Sequence, residues 1–422
     1  MKAIRTFAIA CVMLPMLGAH SLAAQSPLPL NNPKLRAALD IIKSDNAWTL
    51  QQQVELTQIP APPFKESARA AEFKRRLEAL GVTNVRIDAA GNVIAERKGT
   101  GNGPTVLVQG HLDTVFPEGT DVTVKHRRDT LAAPGIGDDD RGLATVLAIA
   151  RAFQKAGVQT PGTIYFVGDV GEEGPGNLRG TRRLLDTELK GKIDYFITVD
   201  DAGLGIASRA VGSNRYKVTY KGPGGHSYGA FGIPNPIHAL GRAIAGISDI
   251  QVPANPKTTF NVGVISGGTS VNSIPFEASM EVDMRSEDAK SLADVNAKVM
   301  RILKQALDAE NARWYGPRAA KAKLTMTIDT IGLRPTGAQS DAAPIVRTAL
   351  SAASALGFKS ETVASSTDAN YPISLGIPAI RMNGGGVNGG SHSLGEWYVD
   401  TPNAYLGIQW VAVTAAALAG LK

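Results

Sequence analysis

Two kinds of hydrophobic spacing alternate along the first half of the chain. Apolar residues recur every three to four positions, as on one face of an α-helix, in NPKLRAALDIIKSD, ESARAAEFKRRLEAL and GLATVLAIARAFQKAG. Short, continuous Val- and Ile-rich runs lie among them: NVIAERK, PTVLVQG, GTIYFVGDV and IDYFITVD. Such runs are typical of strands that are buried on both faces. This part of the chain therefore predicts an α/β domain with a mixed, largely parallel sheet.

The pattern changes near residue 213 and returns after about residue 332. The middle region contains strands with alternating polar and apolar residues, such as NRYKVTYKG and ASMEVDMRS, and the helical stretch DVNAKVMRILKQALDAE. It predicts an α+β unit with antiparallel strands. The last region contains APIVRTALSAASALG, GIPAIRMNGG and NAYLGIQWVAVTAAALAG. We therefore predict one α/β domain in two parts, 25–212 and 331–422, interrupted by a smaller unit, 213–330.

The N-terminus has the pattern of a secretory signal. Lys2 and Arg5 precede an apolar stretch, and small residues surround Ala23 and Ala24. Removal of residues 1–24 would leave a secreted or periplasmic protein without a membrane anchor. It would also remove Cys11, the single cysteine, so the mature chain would use neither a disulfide nor a thiol nucleophile. The alternatives are a buried N-terminal helix and a lipid anchor on Cys11.

The charge of the chain gives no indication of a nucleic-acid partner. The formal net charge of +6 falls to +4 without Lys2 and Arg5, and the remaining basic residues are scattered. KHRR at 125–128 is a tight basic cluster, and no basic stripe is interleaved with aromatic residues.

Histidines and carboxylates follow four of the predicted buried strands. His111 and Asp113 end the first, Glu172 and Glu173 follow the second, and Asp200 follows the third. The fourth leads to His392, and a further acidic run, GDDDRG, precedes a helix. Functional groups gather at the carboxyl ends of strands in open α/β sheets. Two histidines with several carboxylates and no cysteine favour a catalytic zinc site over a structural one.

An ordered set of motifs resembles the co-catalytic dizinc hydrolases, the family of glutamate carboxypeptidase, aminoacylase and peptidase T. The motifs are GHLDTV, PGIGDDDRG, GEEGPG, YFITVDD, GPGGHSYGAFG, STDANYPISLGIPAIRMNGGG and GGSHSLGEW, and the match to the family covers essentially the whole mature chain. The resemblance is greatest to the peptidase T-like branch. It implies two Zn²⁺ per subunit, with Co²⁺ or Mn²⁺ as substitutes, in an α/β zinc-peptidase domain.

The resemblance also implies a role for individual residues. His111, Asp139 and Asp200 would bind one ion, and Asp139, Glu173 and His392 the other, with Asp139 as the bridge. Asp139 is chosen within the acidic run because the family pattern is Asp-x-(Lys/Arg)-Gly.

Two more residues acquire catalytic roles from the same resemblance. Glu172 would be the general base, and Asp113 would hold His111 in its ligating tautomer.

The inserted unit resembles the family's lid and dimerisation domain. In dimers of the family, the residue that corresponds to His226 reaches the active site of the partner and stabilises the oxyanion. The residues that correspond to Asn272, Arg285 and Arg334 hold the substrate's carboxylate and backbone. A surface position on a strand is the alternative for Arg285. The resemblance thus predicts a homodimer.

The predicted activity is hydrolysis of the amide bonds of short peptides by a metal-activated water. An N-acyl-amino-acid deacylase and a glutamate-type carboxypeptidase share the same metal core, so cleavage from the amino or carboxyl end stays open. A non-catalytic zinc- or peptide-binding protein is the alternative from another class. GHSYG, at 225–229, fits the nucleophile elbow of serine hydrolases, but the Gly- and Pro-rich sequence after Ser227 disfavours the required helix.

Overall fold

The computed structural model describes residues 28–422, so the predicted signal segment and Cys11 lie outside the described residues. The first part forms α1 (Pro33–Ser44), α2 (Asn46–Thr57), α3 (Ser67–Ala79), β1 (Thr83–Ile87), β2 (Val93–Arg97), β3 (Gly103–His111), β4 (Lys125–Arg127), β5 (Thr130–Ala132), α4 (Asp140–Lys155), β6 (Gly162–Asp169), α5 (Arg179–Arg183), β7 (Tyr195–Val199) and β8 (Ile206–Ala210). The middle part forms β9 (Gly212–Lys221), β10 (Gly225–His226), α6 (Pro236–Ser248), β11 (Thr258–Gly267), β12 (Ser273–Ile274), β13 (Glu277–Ser286), α7 (Ala289–Arg313), α8 (Pro317–Lys321) and β14 (Thr325–Arg334). The last part forms β15 (Gly337–Ala338), α9 (Pro344–Ala355), β16 (Thr362–Ser365), α10 (Asn370–Ser374), β17 (Ala379–Met382), β18 (Val387–Gly389), β19 (Trp397–Val399) and α11 (Tyr405–Leu418).

The main sheet contains nine strands in the order β1-β2-β6-β3-β7-β17-β8-β15, with β16 beside β8. Its central strands β6, β3, β7 and β17 are parallel to one another, whereas β1, β2 and β15 add antiparallel pairs at the edges. This arrangement confirms the predicted α/β fold with a mixed sheet.

Helices cover both faces of the main sheet, because its strands carry apolar residues on both sides. Val106 and Val108 of β3 pack into the core formed with α1, α4, α9 and α11, where Trp410 is fully buried. Leu107, between them, points to the opposite face and packs with Leu184 beside α5. Because successive residues of β3 face opposite cores, Val106, Leu107 and Val108 are all apolar and form one continuous hydrophobic stretch in the sequence.

The middle part forms a separate antiparallel sheet, in the order β11-β13-β9-β14. We call the unit Gly212–Arg334 the lid; the predicted limits 213 and 330 fall within β9 and β14. Met280, Val282 and Met284 of β13 pack against α6 and α7. The alternate residues of the same strand point to the opposite face, which α6 and α7 leave uncovered.

A small antiparallel sheet, β18-β19-β5-β4, joins two distant segments of the α/β domain. Trp397–Val399 pairs with Thr130–Ala132 in register, which brings the turn that contains His392 beside the loop that precedes α4. These strands are only three residues long, so their hydrophobic pattern was too short to predict them. Among residues 28–422, no helix has the length and apolar character needed to cross a bilayer.

Candidate metal centre

The parallel strands of the main sheet bring the predicted site residues to one edge. His111 is the last residue of β3, Glu172 and Glu173 follow β6, and Asp200 directly follows β7. The loop after β17 leads to His392. Since β6, β3, β7 and β17 are neighbours in the sheet, these side chains meet where the strands end.

Asp138 lies between the two histidines. Its Oδ1 is 3.1 Å from Nε2 of His111, and its Oδ2 is 3.2 Å from Nε2 of His392. Glu173 Oε1 is 2.9 Å from the same nitrogen of His392. Three groups have ligand atoms within 4.8 Å of one another: His111, Asp138 and Asp200; Asp138, Glu173 and His392; His111, Glu172 and Glu173. Asp138, His111 and Glu173 each belong to two of the groups, and Asp138 places one carboxylate oxygen beside each histidine, as a bridging carboxylate would.

The structure corrects the choice of Asp139 within the acidic run. Asp139 is fully buried and points into the protein, where its Oδ2 accepts the backbone N–H of His111 at 2.9 Å. Its Oδ1 accepts the N–H of Gly142 at 3.0 Å and so caps the N-terminus of α4. Asp139 therefore supports the backbone of the site, and Asp138 is the residue that faces both histidines.

Negative charge exceeds positive charge in this cluster. The hydrogen bonds that Asp138 and Glu173 accept from His392 raise the pKa of that imidazole to about 11. Burial raises the pKa of Glu173 to about 7, which the His392 hydrogen bond only partly opposes. The His392 shift shows that the cluster favours added positive charge, which is the electrostatic condition for binding a cation.

Asp113 holds the loop of the two glutamates. Its carboxylate accepts the backbone N–H groups of Gly171, Glu172 and Glu173 at 2.9, 3.1 and 2.8 Å. The ring Nδ1 of His111 lies 3.0 Å from the carbonyl oxygen of Asp113, and 3.7 Å from its carboxylate. A proton on Nδ1 is thus donated to the backbone of Asp113, and Nε2 is left to face Asp138. Asp113 thus orients His111, as the sequence predicts, but with its backbone carbonyl and not with its side-chain carboxylate.

Glu172 is paired with Arg334, the last residue of β14. Arg334 Nη1 donates to Glu172 Oε1 at 2.8 Å, and Nη2 donates to the Glu172 carbonyl. Both side chains are almost completely buried. Burial lowers the pKa of Arg334, but the carboxylates of Glu172, Glu173 and Asp368 outweigh it and leave that pKa above its usual value. The residue predicted to bind substrate is therefore bonded to the predicted base.

A cavity of about 710 Å³ lies between this cluster and the lid. Its lid wall includes Arg215, Asp283 and Arg285, from the face of the sheet that the helices leave uncovered. Both arginines bond to Asp283, at 2.9 Å and 2.7 Å, so the three side chains carry one net positive charge. Arg285, predicted to bind substrate, thus lines the cavity. Arg215 also lines it, but no sequence motif distinguished Arg215, so it was not predicted as a site residue. Arg381 of β17 also lines the cavity.

His226 and Asn272 lie together on the lid, but neither lines this cavity. Both are exposed, and they are linked by the hydrogen bond from Ser227 N–H to the Asn272 carbonyl at 2.8 Å. His226 Nδ1 accepts the N–H groups of Tyr228 and Gly229 at 3.3 and 3.2 Å. The residues after Ser227 form turns until α6 begins at Pro236, so the helix of a nucleophile elbow is missing.

Comparisons with known proteins agree with this architecture. Residues 107–417 match the profile of peptidase family M20/M25/M40. The chain is 26% identical over 349 residues to the uncharacterized protein YqjE of Bacillus subtilis. The aligned region covers 79% of this chain and 89% of that protein. It is 25% identical over 282 residues to N-acetylcysteine deacetylase of Bacillus subtilis, covering 62% and 70%. The structure of the aminopeptidase PepT from Bacillus cereus has the same fold, with a TM-score of 0.67, 21% identity and coverage of 88% and 98%.

Proposed function

The chain belongs to peptidase family M20/M25/M40, and from this we propose that it is a dizinc hydrolase of the amide bonds of short peptides. The observation that carries the proposal is the pair of ligand groups that share Asp138. Each group supplies one imidazole and two carboxylates, a donor set that suits zinc in a catalytic site.

The residues present fit two divalent ions. His111, Asp138 and Asp200 would hold one, and Asp138, Glu173 and His392 the other. Zinc is the proposed metal, and Co²⁺ or Mn²⁺, which accept the same ligands, would substitute for it. When bound, the ions polarise the scissile carbonyl and lower the pKa of the attacking water.

Glu172 is proposed to move the proton. It lies beside His111 and Glu173, at the edge of the cavity, and can accept a proton from water that enters the centre. As the water oxygen forms its bond to the carbonyl carbon, that proton passes to Glu172. It then passes to the leaving nitrogen when the C–N bond breaks, which returns Glu172 to the carboxylate. Asp113 keeps this side chain in place through the backbone of the loop.

The lid wall of the cavity favours a substrate with a free carboxylate. Arg215 and Arg285 share a single counter-charge, so a substrate carboxylate would complete their pairing. Di- and tripeptides carry such a group, and so do N-acyl amino acids, the second candidate class. Cleavage of the latter is the reaction in the name of the similar Bacillus subtilis deacetylase.

Zinc content and a substrate panel test this proposal. We expect two Zn²⁺ per chain, and release of amino acids from di- and tripeptides that stops after treatment with a chelator and returns with Zn²⁺. Faster hydrolysis of N-acetyl amino acids than of peptides would identify a deacylase instead. Two bound ions without turnover of either class would indicate a binding protein, and absence of bound metal would contradict the proposal altogether.

We also propose secretion or periplasmic location, from the signal pattern in residues 1–24. Expression of the full chain in a Gram-negative host should yield a periplasmic or extracellular product that begins at Gln25. Recovery in the cytoplasm with the N-terminal residues intact would contradict it.

A homodimer formed through the lids is proposed as well. The edge strand β11 exposes Val264 and Ile265, and Val271 and Phe276 nearby are also exposed. Unpaired edges and apolar patches of this kind favour a protein partner. In such a dimer, His226 would serve the site of the other subunit.

A further inference from the structure

Glu396 is a completely buried carboxylate beside the metal centre, four residues after His392. Its Oε1 accepts the N–H groups of Gly137 and Asp138, at 2.8 and 3.0 Å. Its Oε2 accepts the N–H of Gly135 at 2.8 Å. All three donors belong to the loop that carries Asp138 into the site.

The main chain of Glu396 contacts the same loop. The N–H of Ala133 donates to the Glu396 carbonyl at 3.1 Å, and the adjoining β19 pairs with β5. Glu396 therefore joins the turn that contains His392 to the loop that contains Asp138. The pairing of β19 with β5 brings the two segments together, and the Glu396 side chain then fixes the N–H groups of Gly137 and Asp138, next to the ligand itself.

The arrangement repeats what Asp113 does on the other side of the centre. Asp113 accepts three consecutive N–H groups from the loop of Glu172 and Glu173. The loop of Asp138 and the loop of Glu173 are thus each held by a buried carboxylate that accepts three backbone hydrogen bonds, and hydrogen bonds to a carboxylate are about twice as strong as neutral ones.

We propose that Glu396 is a positioning residue of the metal centre, which fixes Asp138 relative to His392 and so sets the affinity for both ions. The proposal rests on the proposed function, because it assumes that Asp138 is the bridging ligand. Glu396 belongs to none of the three ligand groups, and both of its carboxylate oxygens accept backbone N–H groups. Its loss acts through the position of Asp138, and groups of this kind change metal affinity about 10–100-fold.

Glu396→Gln is the informative variant. The glutamine side chain has one oxygen in place of two. If that oxygen still accepts the N–H groups of Gly137 and Asp138, the NH₂ group faces the N–H of Gly135, and two donors oppose each other. Glu310→Gln is the matched control, because Glu310 is also fully buried and accepts a backbone N–H, from Asn235 at 3.1 Å, but lies in the lid. Both variants lose a buried carboxylate, and only one should affect the metal centre.

The measurement is titration of the chelator-treated protein with Zn²⁺ and with Co²⁺. We expect Glu396→Gln to bind both metals about 10–100-fold more weakly than wild type and to change the visible spectrum of bound Co²⁺. Glu310→Gln should match wild type in both readouts, whatever its thermal stability. If Glu396→Gln does not fold, Glu396→Asp, which keeps the charge but shortens the side chain, takes its place with the same expectation.

Wild-type affinity and an unchanged Co²⁺ spectrum in the folded variant would overturn the role of Glu396 and leave the proposed function intact. Equal weakening in Glu310→Gln would also overturn it, since the effect would then be one of general stability. Failure of the wild-type protein to bind metal would instead refute the proposed function.

Discussion

Replacement of Asp138 by asparagine should lower the metal content, whereas the same replacement of Asp139 should lower stability. Asp138 faces both imidazoles with its two oxygens and accepts no backbone hydrogen bond among those of the described residues. Asp138→Asn removes the bridging charge, so the two ligand groups that share it both lose a carboxylate. We expect the content of two ions per chain to fall below one.

Asp139→Asn should change stability and leave the metal in place. Asparagine is as good a helix cap as aspartate, so its amide oxygen can keep the N–H of Gly142. Its NH₂ group then meets the buried N–H of His111, which Asp139 Oδ2 satisfies at 2.9 Å. An unsatisfied buried donor costs about 1–3 kcal/mol, which is the loss of unfolding free energy we expect for the metal-free protein.

Metal analysis after dialysis gives the number of bound ions. Urea unfolding of the chelator-treated proteins gives the free energy of unfolding without metal. The reasoning would be refuted if Asp139→Asn lost its metal at unchanged stability while Asp138→Asn kept two ions. The carboxylate of Asp139 would then have to turn toward the cavity in the metal-bound protein.

Three further predictions concern the proposed base, the lid and an ion pair on α3. Glu172→Gln should keep both ions and lower kcat by about 10²–10⁴-fold, because the amide cannot accept the proton; a parallel loss of metal would make Glu172 a ligand. The inactive variants His226→Ala and Glu172→Gln, mixed so that they exchange subunits, should regain roughly a quarter of wild-type activity. About half of the dimers would then be mixed, and each mixed dimer has one intact site of two. Proven exchange without recovery would exclude the role of His226 across subunits. The hydrogen bond from Arg75, aided by Arg76, lowers the pKa of Glu72 from 4.5 to about 2. Its pairing stabilises the fold above pH 4.5 and is lost as the pH falls toward 2, so the difference in unfolding free energy between wild type and Glu72→Gln should shrink over that range.

The strand-end pattern could predict most of the cluster because it depends on topology alone. His111, Glu173, Asp200 and His392 follow apolar runs that proved to be neighbouring strands, and the sheet brings their side chains together. The choice within GDDDRG could not be made in the same way. It depends on which way the backbone turns before α4, and that direction is fixed by contacts from Glu396, 258 residues further along the chain.

Residues without a motif were missed for a related reason. Arg215 reaches the cavity only because β9 and β13 pair in a register that places it beside Asp283. Strand pairing between residues 68 apart is invisible in local periodicity. The short strands β18 and β19 were missed because three residues show no alternation.

The lid is bonded to the loop of the proposed base, and this constrains how a substrate could bind. Arg215 Nη1 donates to the carbonyl of Gly174 at 3.3 Å, one residue beyond Glu173, and Arg334 donates to Glu172. A substrate carboxylate that bound Arg334 would compete with Glu172 for the same guanidinium. Binding there would leave Glu172 without the guanidinium that holds its side chain. The predicted substrate-binding role of Arg334 is therefore compatible with its observed contact only if substrate exchanges with Glu172, whereas Arg215 and Arg285 can accept a carboxylate without disturbing the base.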